Sequence, residues 1–156
     1  MATRAEGSLT AGRSTQPLSD AQIRSVGSTF LGLDNSVPFK HDPNGRTRFI
    51  VETVDGEEIG TAYFGADVFP GPSVMDPNSA LSMKAAVAHE ISHYHRWRDA
   101  TELPLGTLVH LDEAQTSLDA ALRFAGQLSA HEIQQLIRDS VQRLQLLRAE
   151  LLPPNA

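Results

Sequence analysis

His89-Glu90-Ile91-Ser92-His93 places two imidazoles four residues apart, with a carboxylate beside the first. An α-helix turns about 100° per residue, so positions four apart lie on one face where two ring nitrogens can reach one ion. Glu90, about 100° round from His89, can reach water at that ion without binding it, which is the station of a general base. The chemistry encoded is a Zn2+ site with its own proton acceptor.

The helix needed to hold these residues is written around them. Ser82-Met83-Lys84-Ala85-Ala86-Val87-Ala88 is rich in helix formers, and Asn78, Ser79 or Ser82 can cap its start. Ala85, Ala86 and Trp97 flank the ligand face and supply the dry surround a metal site requires.

A catalytic zinc takes a third protein ligand and keeps its fourth position for water. Glu113 is the best candidate: the motif helix ends near Thr101, Leu103-Pro104-Leu105-Gly106 reverses the chain, and an antiparallel helix returns Glu113 opposite His89 and His93. Two rivals stay open. Asp99 lies six residues after His93, and His110 shares a helix face with Glu113. Donors for a developing oxyanion would come from Tyr63, Tyr94, His95, Arg96 or His110. Arg96 has an alternative role at the negative end of the motif helix.

With Asp112-Glu113-Ala114 twenty residues beyond the pentapeptide, the chain resembles the HExxH zinc metallopeptidases (zincins), in particular the thermolysin-like gluzincins and the small bacterial ImmA/IrrE type. The likeness spans roughly residues 80 to 120. It implies peptide-bond hydrolysis by a metal-activated water, with His89, His93 and Glu113 as metal ligands and Glu90 as the catalytic base. In gluzincins an Asp four residues beyond the ligand Glu steadies the first His. This chain has Ser117 there, and Asp119 two residues on.

The remaining elements must position that helix pair. Ser19-Asp20-Ala21-Gln22 opens a helix with an apolar stripe of Ile23, Val26, Phe30 and Leu31. Asp42-Pro43-Asn44-Gly45 is a turn. Residues 48–54 and 58–64 are β-rich and joined at Asp55-Gly56, a hairpin signal. The second of these strands, or Ala66-Asp67-Val68-Phe69, would take a peptide substrate as an added strand. From Ser129 a last helix carries Ile133, Leu136, Ile137, Val141, Leu144, Leu147 and Leu151 at helical spacing. Its stripe reads as core, with a homodimer or partner-protein surface as the alternative.

The expected fold is therefore α+β: a small antiparallel sheet followed by a helical zincin core of motif helix, ligand helix and C-terminal amphipathic helix. Residues 1–17 read as a flexible tail and 18–156 as a single domain, which 156 residues suit. A net charge of −6 disfavours nucleic acid, and no apolar run approaches the ~20 residues of a membrane span. With no cysteine, thiolate ligands and disulfides are excluded. The opening residues carry no apolar signal segment, so cytoplasmic residence is expected. The functional alternative is a noncatalytic metal-binding or pseudoenzyme regulatory protein that kept the ligands. A helical di-iron centre would need a second Glu-x-x-His, which the sequence lacks.

Overall fold

The computed structural model describes residues 12–72, 80–104 and 108–152. It is an α+β fold of four helices and one three-stranded sheet. Helix α1 (Asp20–Leu33) starts at the expected capping box, with Ser19 and Gln22 bonding each other's backbone N–H. Its inward residues are Val26, Phe30 and Leu33, whereas Leu31 points to solvent. The three inward positions follow one another at four and three residues, which keeps them on one face.

Strands β2 (Arg48–Val54) and β3 (Glu57–Phe64) form the expected hairpin. Asp55 and Gly56 both have positive φ, 53° and 82°, as a two-residue type I′ turn requires. A third strand, β1 (Phe39–His41), pairs parallel with β3, so the sheet is mixed with order β1-β3-β2 rather than purely antiparallel. Three residues show no alternation to read in the sequence. The strand is fixed instead by Phe39 stacking on Phe30, with ring centroids 4.7 Å apart, and by Ala62 N–H donating to the Pro38 carbonyl at 2.9 Å.

Ala66–Val68 forms a 3-10 turn, not the expected strand. The Asp67 carboxylate accepts from the Thr47 N–H and hydroxyl, at 2.8 and 2.7 Å. The Asp67 and Val68 carbonyls are taken by the Arg13 guanidinium, which also binds the Leu81 carbonyl. Those carbonyls are thus unavailable to a sheet ladder. Arg13, in the stretch assigned to the tail, is 8% exposed and ties the N-terminal segment to the rest of the chain.

Helix α2 (Met83–Arg98) is the central element, touching the sheet and all three other helices. Every residue from Ala85 to His93 is buried, as expected of a helix enclosed on all sides. Ser82 caps it, accepting from Ala85 N–H; Asn78 and Ser79 lie outside the described residues. It ends at Arg98, a turn earlier than Thr101. Ala100 adopts φ 57° and Thr101 N–H donates back to the Arg96 carbonyl at 2.8 Å, a Schellman-type close. Helix α3 (Val109–Arg123) and helix α4 (Ala130–Leu151) complete the chain, the latter opened by a Ser129–Glu132 capping box. No helix among the described residues is long and apolar enough to cross a membrane.

A candidate metal centre between three helices

Helix α2 presents His89 and His93, and α3 faces them with Glu113. Glu113 Oε2 lies 2.9 Å from His89 Nε2 and 3.1 Å from His93 Nε2. All three side chains are buried, as is Glu90, at 2% exposure. Of the rival ligands, Asp99 is the exposed C-cap of α2, and His110 Nε2 turns to Glu150 Oε1 at 3.0 Å. Among the described residues neither joins a group able to hold an ion, whereas His89, His93 and Glu113 do.

The protons in this cluster can be assigned by elimination. A carboxylate only accepts, so the Ser117 hydroxyl, 2.5 Å from Asp139 Oδ2, commits its hydrogen there. Ser117 Oγ can then only accept from His89 Nδ1, 2.9 Å away, so Nδ1 carries the ring hydrogen. His89 therefore turns Nε2 to an oxygen of Glu113, and in the neutral ring that nitrogen carries a lone pair. Two acceptors 2.9 Å apart repel unless a cation or an added proton lies between them. The same oxygen lies 3.1 Å from a second imidazole nitrogen, His93 Nε2. Zinc bonds of about 2.0–2.2 Å at tetrahedral angles hold ligand atoms about 3.3–3.6 Å apart, somewhat wider than the two separations found, so a small outward shift of the side chains admits the ion. The donor set thus fits a divalent cation.

The clamp that creates this convergence is Arg96. Its guanidinium binds the Asp112 carboxylate at 2.9 Å, the Asp112 carbonyl at 2.9 Å and the Thr116 hydroxyl at 2.6 Å on α3. It also binds the Thr101 carbonyl past the end of α2, at 2.8 Å. Arg96 follows His93 by three residues and Asp112 precedes Glu113, so the clamp sets the ligands against each other. His93 Nδ1 lies 3.5 Å from Glu102 Oε2, and the His93 ring runs parallel to Phe49 of β2, 6.3 Å between centroids. His93, Glu102 and Asp112 form a second group able to hold an ion, in which Asp112 Oδ1 also takes the Leu103 N–H and Arg96.

The oxyanion candidates are placed mostly elsewhere. Tyr63 carries the Arg48 guanidinium over its ring, and Tyr94 packs on Phe49 and Trp97. His95 binds Asp34 at the end of α1. Burial of the Asp34 carboxyl favours its neutral form, but hydrogen bonds from Ser36 and His95 outweigh it and hold the group below its usual range. Arg96 is consumed by the clamp and His110 by Glu150.

Three residues beside the ligands escaped the sequence reading: Glu102, Asp139 and Arg143. Arg143 Nε donates to Asp139 Oδ2 at 2.8 Å, and its Nη1 lies 3.6 Å from Glu113 Oε2. A signal was present, since Gln135, Asp139 and Arg143 recur every four residues on α4 and make a polar stripe beside the leucines. Asp119, by contrast, faces outward in an i,i+4 pair with Arg123.

Comparison with protein-family models, with curated proteins and with solved structures finds no match to this chain.

Proposed function

We propose that the protein is a zinc-dependent metallopeptidase of the HExxH kind, similar to the gluzincin and ImmA/IrrE zincins. The observation supporting this is the convergence of three buried side chains able to hold an ion, His89, His93 and Glu113, next to a carboxylate that the site does not need as a ligand. A bound divalent ion supplies Lewis acidity, acidifying water and polarising a peptide carbonyl. Glu90 accepts the proton of the attacking water and returns it to the leaving amine. Phe49 and Trp97 exclude solvent on the sheet side of His93.

The substrate would be an extended peptide. Residues 62 and 63 of β3 are paired on both edges, so that part of the expected docking strand has no free side. Among the described residues the outer edge of β2 has no strand against it, and β2 also supplies Phe49 to the site. Main-chain pairing along that edge would hold a peptide without dictating its sequence. Ile137, Val141 and Leu144, exposed on α4, support the companion expectation of a protein partner or second copy there.

Elemental analysis of wild type, Glu113→Ala and Glu90→Gln, each with a peptide-library cleavage assay, tests the reading. Zinc near one per chain in wild type and Glu90→Gln, its loss in Glu113→Ala, and cleavage by wild type alone are expected. Equal cleavage by Glu90→Gln would remove its role as base. The burial of all four side chains favours one second reading, a closed, noncatalytic metal site. That reading gains if zinc is present and no cleavage is found.

A further inference from the structure

Helix α4 contributes no candidate ligand, yet it buries Asp139, Ser140 and Arg143 against the ligand helices. Asp139 is 0% exposed, and its Oδ2 receives both the Ser117 hydroxyl at 2.5 Å and Arg143 Nε at 2.8 Å. Ser117 Oγ in turn receives His89 Nδ1 at 2.9 Å. Arg143 then extends to within 3.6 Å of the Glu113 oxygen that faces both imidazoles. Ser140 fixes the register of the two helices by donating to the Ala114 carbonyl, one residue past Glu113, at 3.0 Å.

We propose that Asp139 is a positioning residue for the metal centre, acting on His89 through the Ser117 hydroxyl and on Glu113 through Arg143. This inference rests on the metal-site reading and deepens it. The chemistry is directional. With its hydrogen held by Asp139, Ser117 can only accept, so His89 keeps a hydrogen on Nδ1 and Nε2 is the nitrogen left to ligate an ion. A serine at this position would ordinarily rotate and could donate to the ring instead, turning the lone pair away from the site. Asp139 removes that freedom, and a carboxylate one helix away thereby acts on the imidazole through a hydroxyl. On the other side, Arg143 bridges the two carboxylates, holding Glu113 in place and offsetting part of the negative charge gathered around a single cation.

The test is zinc affinity by chelator competition for wild type, Ser117→Ala, Asp139→Asn and the double variant. Cobalt-substituted absorption spectra and melting of the metal-free proteins are recorded alongside. Outer partners of ligating histidines commonly contribute 10–100-fold in metal affinity, so each single variant should bind roughly 10–100-fold more weakly. Because the two act in series on His89, the double variant should lose little beyond the weaker single, and its cobalt spectrum should match that variant's. Unchanged affinity in both single variants overturns the proposal, as does a double loss equal to the product of the single ones. If Ser117→Ala fails to fold, Asp139→Asn, nearly the same shape, decides through affinity and cobalt spectrum together. Wild type that binds no zinc would instead defeat the metal-site reading itself, so the two failures are distinct.

Discussion

Replacing Arg96 by Met should be among the most damaging single changes to this fold, and it should cost metal affinity without touching a ligand. Met keeps most of the aliphatic volume but removes the guanidinium from Asp112, which is 1% exposed. Breaking a buried ion pair from one side costs about 3–5 kcal/mol, because a buried charge is left uncompensated. That is a large part of the ~5–15 kcal/mol by which domains are stable. At about 2–4 °C per kcal/mol for a chain of this size, the melting temperature should fall by roughly 6–20 °C. The control is Arg96→Met with Asp112→Asn: the amide oxygen still accepts the Leu103 N–H, now 2.9 Å from Asp112 Oδ1, but no stranded charge remains. The double variant should therefore be more stable than Arg96→Met, with a coupling of about 0.5–3 kcal/mol. Urea unfolding of the metal-free proteins measures both. A single-variant loss below about 1 kcal/mol, or a double variant at the sum of the two single losses, would refute the clamp.

Three further perturbations probe the supports of the site. Glu132 accepts from Ser129 N–H at 3.0 Å and from the Ser82 hydroxyl at 2.6 Å, joining the caps of α2 and α4, so Glu132→Ala should lose about 1–3 kcal/mol by thermal unfolding. Burial raises the Glu132 pKa, but hydrogen bonds from Ser129 and Ser82 outweigh it and hold the group below its ordinary 4.5. Its stabilisation is therefore present above that value and fades as pH falls through the depressed folded one, so the gap between wild type and Glu132→Ala should narrow in acid. A Cβ at Gly60 would lie 2.6 Å from the Phe49 ring and 2.8 Å from Trp97; Gly60→Ala should cost about 1–3 kcal/mol in unfolding and move Phe49 against His93. Arg13→Ala strips donors from the Asp67, Val68 and Leu81 carbonyls, and limited proteolysis should then cut faster near residue 70 than in wild type.

What could be read in advance was what local chemistry dictates. The capping boxes at Ser19 and Ser129, the Asp55-Gly56 turn and the helical run around the motif each depend on residues within a few positions, and all are found where the sequence places them. So is the return of an antiparallel helix bearing Glu113, because a four-residue helical period and a Pro-containing break fix which faces can meet. The failures are all long-range. Arg13 is buried by carbonyls more than fifty positions away, the parallel strand β1 is specified by partners on β3 and α1, and Ala66–Val68 is bent by Thr47. No local pattern announces such partners. Ser117 reads as a missing carboxylate only if the carboxylate must come from its own helix; it comes instead from Asp139, twenty-two positions on.

Helix α4 shows why that polar stripe is a clue to function and not merely to packing. Its strongest apolar residues are not inside: Ile137, Val141, Leu144 and Leu151 are 40% exposed or more, and Leu136 alone of the stripe is fully buried. Besides Leu136, the buried residues of the helix are Gln135, Asp139, Ser140 and Arg143. Burying polar groups is unfavourable unless each finds partners, and leucines turned inward would hold α3 more simply. These residues do find partners: Gln135 accepts from Ser82 N–H, Ser140 donates to Ala114, and Asp139 and Arg143 reach Ser117 and Glu113. Each contact falls on the cap of the motif helix or within four residues of Glu113. A helix selected only to cover a core has no reason to concentrate its polar side on those points, whereas one that fixes how His89, His93 and Glu113 face one another does. The exposed leucines follow from the same choice, since a helix that turns its polar face inward must turn its apolar face out.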